Sequence, residues 1–306
     1  MRRTFSSGHL NLSPRVRLAL WALSVLALSV IFFREFWLGL PGMLSPARIF
    51  GQNQASPWAV LALCFIFLWL KGKEVRKAMG PPPNLVFLTV GLVVTAAALL
   101  MPAFPDYLAF RVLLASLGTY AIFFGRGVKI PAILLAIYIS AISFPMLIQR
   151  FAQDAYASTV IIPLNGLLTV LGYPFTTEGQ WLHLVSAKGD IISVVVTVAC
   201  AGPATMGVFL SIFALMTLDM PLPRRRAAAL LVFGIIGTWF QNLLRVAILM
   251  MVAYYMGERA MWTVHSWTIY VLFPLWYLIF AYIYFRQFGK AGRVSQPAPP
   301  AQGGIS

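Results

Sequence analysis

Apolar runs of about twenty residues, enough for a helix to cross the hydrocarbon core of a bilayer, recur along the whole chain. Eight of them lie at 16–33, 55–70, 84–101, 107–125, 128–148, 203–219, 227–253 and 266–285. Hydrophobic residues make up 60% of the chain and charged residues only 10%. Soluble domains are about half apolar and about a quarter charged, so the composition is that of a membrane protein. The net charge of +15 does not call for nucleic acid. Lys and Arg fall in short clusters between the apolar runs, as in the cytoplasmic loops of multi-pass proteins. Two widely separated cysteines, Cys64 and Cys200, make neither a disulfide framework nor a zinc site. No His-x-x-x-His helix offers metal ligands, so neither metal nor cofactor is expected. Arg15 and Arg17 precede the first run, but no small-residue cleavage site follows it ("IFFREFW"), so it is expected to remain as an uncleaved span.

Orientation follows from the basic residues. With both termini in the cytoplasm, 16 of the 23 Lys and Arg lie inside, including "KGKEVRK" and the triplet Arg224 to Arg226. The same topology, in the cell membrane, leaves 149–200 as the largest extracytoplasmic segment. Its stretch "YASTVIIPLNGLLTVLG" is interrupted by Pro163 and Gly166, which predicts a bent or re-entrant helix near the outer interface. "QWLHLV", the turn signal "SAKGD" and "IISVVVTVA" predict two strands around a tight turn. An open hairpin leaves backbone groups unpaired and cannot sit in lipid, so it belongs at or above the outer surface. The expected fold is an all-α polytopic membrane protein of about eight transmembrane helices, with a small extracytoplasmic hairpin. The expected organisation is five N-terminal spans in 1–148, a core in 149–285 made of the outer segment and three spans, and a disordered cytoplasmic tail in 286–306. The tail ends in the low-complexity "SQPAPPAQGGIS".

Cys200 stands where the second strand meets a helix opened by Pro203, a residue suited to the first helical turn. The positive end of the helix dipole is therefore close, and such positions favour the nucleophilic thiolate. Gly202 and its small neighbours leave room for a substrate backbone. Cys64, within "LALCFIFLWL", reads as a small buried hydrophobe. In the seventh run, Gln241, Asn242 and Arg245 interrupt an apolar helix, and Asn242 and Arg245 share a face. Arg245 lies roughly 13–15 Å below the outer helix end at about 1.5 Å per residue. An arginine at that depth is unfavourable by about 2.5–3.5 kcal/mol or more, and marks a functional site unless it snorkels to the headgroups. After the short loop "GERAMWTV" comes His265, expected at the outer start of the last span. Alone it would pass for an interfacial histidine beside Trp262 and Trp267, yet its chemistry suits proton transfer near neutral pH. His183, in the hairpin, competes for that role; His9 is on the wrong side. A thiol, a guanidinium and an imidazole suffice for acyl transfer through a thioester. The competing reading is a transporter binding an anionic solute through Arg245, but no inverted repeat of the kind such folds use is present.

At these residues the chain resembles the exosortase/archaeosortase family of membrane cysteine transpeptidases. "ACAG" at 199–202 is similar to the family's Cys-small-Gly motif, "NLLRVAILM" at 242–250 to its Asn-x-x-Arg helix, and "VHSW" at 264–267 to the segment of its third residue. The order also fits, with Arg245 lying 45 residues after Cys200 and His265 a further 20 on. Ala201 departs from the serine usual in bacterial members, and leans toward an archaeal-type member. The resemblance implies Cys200 as nucleophile, Arg245 as stabiliser of oxyanion or thiolate, and His265 as general acid and base, with Asn242 and Gly202 in support. It further implies substrates that are exported proteins with a C-terminal tripartite signal: a short motif, a transmembrane helix and a basic end. These would be cut at the outer face and passed to an acceptor, a lipid among the candidates.

Overall fold

The computed structural model describes residues 13–43, 55–79, 83–102, 108–197, 200 and 202–294. The chain divides into two compact units, Met1–Ser140 and Ala141–Ser306.

The first unit contains α1 (Pro14–Phe32), α2 (Arg34–Met43), α3 (Ala55–Leu70), α4 (Gly72–Ala78), α5 (Leu85–Leu100), α6 (Leu108–Phe124) and the start of α7 (Lys129–Phe151). Ser13 and Asn84 cap α1 and α5 by accepting the N–H groups of Val16 and Phe87. Small residues let α5 and α6 approach closely: a Cβ on Gly91 would lie 2.6 Å from the Gly118 carbonyl oxygen. Arg111 is buried at 6% exposure. Its Nε and Nη2 donate to the carbonyls of Ala98 and Leu99, both at 3.3 Å, and its guanidinium lies 5.1 Å from the Phe33 ring centroid. Those carbonyls are the orphan acceptors at the end of α5. This arginine caps a helix.

The second unit holds the rest of α7, then α8 (Gln153–Val170), β1 (Phe175–Glu178), β2 (Trp181–Val185), β3 (Ile191–Val195), α9 (Pro203–Asp219), α10 (Arg224–Met256) and α11 (Glu258–Val294). The three strands form an antiparallel sheet in the order β1-β2-β3. Gly179, at φ 59°, turns β1 into β2, and Gly189, at φ 87°, sits in the turn before β3. Leu182, Leu184 and Ile192 project from one face into a core with Val160, Leu164 and Leu168 of α8 and Val246, Leu249 and Met250 of α10. The Ala187 N–H donates to the Tyr254 carbonyl at 3.0 Å, which fixes the hairpin tip on the C-terminal end of α10. Deeper in the unit, Phe209 of α9 packs edge-on against Phe280 of α11, in the space that Gly234 of α10 leaves open.

Each of the eight expected runs is helical over nearly its whole length. Among the described residues, four helical stretches are long and apolar enough to cross a membrane: Pro14–Phe32, Leu108–Phe151, Arg224–Met256 and Glu258–Gly289. Pro57–Leu70, Leu85–Leu100 and Pro203–Asp219 are shorter apolar helices, and two expected runs share the continuous Leu108–Phe151 stretch. The molecule is a predominantly helical membrane protein.

Three details differ from expectation. Pro163 and Gly166 do not interrupt α8, which is one 18-residue helix anchored by its buried face on the core. The sheet has a third strand, "FTTE", whose four residues carry little apolar alternation. The stretch "GERAMWTV" is not a loop: α11 begins at Glu258 and runs to Val294. Gly257, at φ 87° and ψ 175°, closes α10 in a backbone region reserved for glycine. Glu258 then opens α11 and accepts a hydrogen bond from Trp262 Nε1 at 3.1 Å. Residues 286–294, expected in the tail, are therefore helical, while 295–306 lie outside the described residues.

Candidate active site

Cys200 lies between the end of β3 and the start of α9. The Cys200 N–H donates to the Thr197 carbonyl at 2.9 Å, and Thr197 Oγ1 stands 3.7 Å from Cys200 Sγ as a donor. Gly202 has φ 90° and ψ 24°, and Pro203 opens the helix. A left-handed φ is one reason for glycine here, and Asn242 is the other. A Cβ at Gly202 would lie 2.7 Å from Asn242 Cγ. Asn242 Nδ2 in turn donates to the Cys200 carbonyl at 3.0 Å. The amide of α10 thus pins the peptide that carries the thiol. Asn242 is only 1% exposed, and its buried Oδ1 has no hydrogen-bond partner among the described residues. Below the junction, Thr205 Oγ1 donates to the Gly202 carbonyl at 2.7 Å, and Tyr277 of α11 donates to the Thr205 carbonyl at 2.8 Å.

The second half of the site comes from the antiparallel pair α10–α11. Because Gly257 alone separates the two helices, residues at equal distances from it face one another. Gln241 Nε2 donates to the Leu272 carbonyl at 3.1 Å, and Trp276 Nε1 donates to Thr238 Oγ1 at 3.0 Å. In the same register, Arg245 Nε donates to Thr268 Oγ1 at 3.3 Å. Arg245 Nη2 lies 3.2 Å from His265 Nδ1 and 3.4 Å from His265 Nε2. A nitrogen so nearly equidistant from both ring nitrogens stands over the ring rather than in its plane, so the guanidinium covers one imidazole face. Trp262 borders the ring edge-on, with centroids 5.4 Å apart. Arg245 and His265 are 3% and 7% exposed. No carboxylate forms an ion pair with Arg245 among the described residues.

A family comparison covers most of the chain. The model described as transmembrane exosortase (Exosortase_EpsH) matches residues 48–282. The chain belongs to the transmembrane exosortase family. No curated protein and no solved structure matches it. Membership gives this exosortase a general role in transpeptidase-type sorting of exported proteins at a membrane.

The other sequence candidates in this exosortase lie elsewhere. His183 is on the face of the sheet turned away from the core, where its Nδ1 is 2.8 Å from Ser193 Oγ and its ring stacks on Trp181 with centroids 6.2 Å apart. Cys64 is buried in the first unit, with Sγ 3.7 Å from the Leu134 carbonyl. Val198, Ala199 and Ala201, the small residues flanking the thiol, lie outside the described residues. Thr197 and Thr268 were not singled out from sequence. Thr268 had a readable signal, because it follows His265 by three residues and shares its helical face.

Proposed function

We propose that this exosortase is a membrane cysteine transpeptidase in which Cys200 is the nucleophile, Arg245 the electrostatic stabiliser and His265 the proton carrier. The observation that carries the reading is the buried Arg245, held between Thr268 and His265 on the same helix face as Asn242, which holds the Cys200 carbonyl. A buried cation without a carboxylate partner favours negative charge beside it. A cysteine acyl transfer develops that charge twice, on sulfur and on the tetrahedral oxygen.

The steps follow. The thiolate attacks the scissile carbonyl, and the C–S bond forms as the carbonyl π electrons move to oxygen beside Arg245. The C–N bond then breaks, the leaving amine takes a proton from His265, and a thioester remains on Cys200. An acceptor nucleophile gives its proton to His265, attacks the thioester carbonyl and expels the sulfur. Asn242 and Gly202 hold the Cys200 peptide throughout. In this reading the chain crosses the cell membrane eight times with both termini in the cytoplasm. The site opens on the outer face, where it meets exported proteins carrying a C-terminal motif, transmembrane helix and basic end.

The test is a processing assay in cells, with an exported reporter bearing such a C-terminal signal. Wild type and Cys64→Ser shift the reporter's size, whereas Cys200→Ser and Arg245→Ala do not, at equal insertion. Normal processing by Cys200→Ser would rule the nucleophile out, and would favour a transporter built around Arg245.

A further inference from the structure

The hydrogen-bond register of the sheet leaves one row of backbone groups pointing away from it, beside the site. Val196 N–H donates to the Gln180 carbonyl at 2.9 Å and Ser186 N–H to the Asp190 carbonyl at 2.8 Å. Antiparallel ladders alternate bonded and non-bonded pairs with period two. The bonded pairs of β2 and β3 are therefore Leu182 with Val194 and Leu184 with Ile192, and the non-bonded pairs put Trp181, His183 and Val185 opposite Val195, Ser193 and Ile191. The short contact between His183 and Ser193 fits this assignment, since side chains of non-bonded pairs stand closer.

It follows that the N–H and C=O groups of Ile191, Ser193 and Val195 face outward from β3, the last strand of the sheet. No backbone partner is present for them among the described residues. Ile191 is 78% exposed, and Ser193 and Thr197 are exposed. Such an edge is a ready template for another strand. Here it leads within five residues from Val195 to Cys200.

We infer that β3 is the docking edge for the substrate, an extended peptide that adds to it as a fourth strand and is led to Cys200. This rests on the transpeptidase reading above. The occupant is the stretch just before the scissile bond, and it pairs parallel to β3. A substrate with its exported part outside and its C-terminal helix in the membrane runs in the same sense as β3, Cys200 and α9. Main-chain pairing supplies affinity, and alternate side chains supply selectivity against the exposed side chains of β3 itself, Ile191 and Ser193.

The experiment is disulfide trapping of the exported reporter. The enzyme carries Cys64→Ser and Cys200→Ser with either Ser193→Cys or Ile191→Cys, and one reporter cysteine is moved residue by residue before its transmembrane helix. Parallel pairing gives adducts at alternate reporter positions, and changing from Ser193→Cys to Ile191→Cys shifts them toward the reporter's N-terminus. Adducts at every position, at none, or shifted toward the C-terminus overturn the proposal. A second arm uses Ser193→Pro, which removes an outward N–H that β2 does not use and is tolerable on an edge. Processing falls roughly tenfold or more, on the order of one lost charge-free hydrogen bond plus its steric block. Labelling of Cys200 by a small maleimide stays at the wild-type rate. Unchanged processing by Ser193→Pro, with trapping absent, sinks the edge while leaving Cys200 chemistry standing. Periodic trapping with no difference in processing between wild type and Cys200→Ser sinks the chemistry and keeps the edge.

Discussion

Gly202 and Asn242 form a coupled pair, and replacing either one reports on the other. In Gly202→Ala the backbone must keep φ 90° with a side chain present, a left-handed conformation that is unfavourable by about 1–2 kcal/mol. The new methyl also lies 2.7 Å from Asn242 Cγ. Asn242 cannot swing away freely, because it is buried and its Nδ2 is bonded to the Cys200 carbonyl. Relieving that overlap adds about 1–3 kcal/mol, the usual range for overpacking. The total for Gly202→Ala is then about 2–5 kcal/mol. Asn242→Ala alone loses one hydrogen bond of about 1 kcal/mol. In the double variant the overlap is gone, and only the φ strain and the lost hydrogen bond remain. The double variant is therefore more stable than the sum of the singles predicts, by about 1–3 kcal/mol. The assay is a double-mutant cycle on unfolding in mixed micelles in a Cys64→Ser background, with the maleimide labelling rate of Cys200 followed in parallel. Gly202→Ala changes the labelling rate, because the peptide bearing the thiol moves. Additivity within about 0.5 kcal/mol would refute the reasoning, since it would mean the two side chains do not meet.

Other expectations follow from the same geometry. His265→Ala lowers reporter processing by about 10²–10⁴-fold, the range for a lost general acid–base, while His183→Ala leaves it within about twofold of wild type, because that ring is held on the outer sheet face; equal losses would reopen the choice between them. Thr268→Val removes the acceptor of Arg245 Nε and lowers processing without loss of expression, whereas Thr268→Ser restores it. Arg111→Ala uncovers the carbonyls of Ala98 and Leu99 and destabilises the chain by about 1–3 kcal/mol in a thermal-shift assay, with the labelling rate of Cys200 unchanged.

Much of this molecule is legible in its sequence, for identifiable reasons. Apolar length announces helices because lipid offers backbone groups no other partner, and each of the eight runs is helical. "QWLHLVSAKGDIIS" carries alternation and a turn signal, and forms the β2–β3 pair. A short polar strand such as β1 has neither, and its place is set by pairing with β2. The polar start of "GERAMWTV" suggests a loop where the chain makes only a one-residue turn at Gly257. One glycine with a positive φ suffices to join two long helices. That turn then sets the register that brings Thr268 to Arg245, which no local pattern displays. Asn242 and Arg245 could be seen to share a helical face, but not that the first would reach the Cys200 carbonyl and the second the His265 ring. Arg111 shows the converse: burial of an arginine alone does not mark a site, because this one closes a helix end.

The central claim is covalent chemistry at Cys200, and the most direct measurement is the mass of the enzyme itself. The chain is captured from cells expressing the reporter, quenched in acid to hold the acyl-enzyme, and the peptide containing Cys200 is weighed before and after hydroxylamine. The account predicts a reporter-derived adduct on Cys200 that hydroxylamine removes, as a thioester requires, and that is absent from Cys200→Ser. Processing of the reporter by an enzyme whose Cys200 never carries an adduct, or an adduct that survives hydroxylamine, would contradict it.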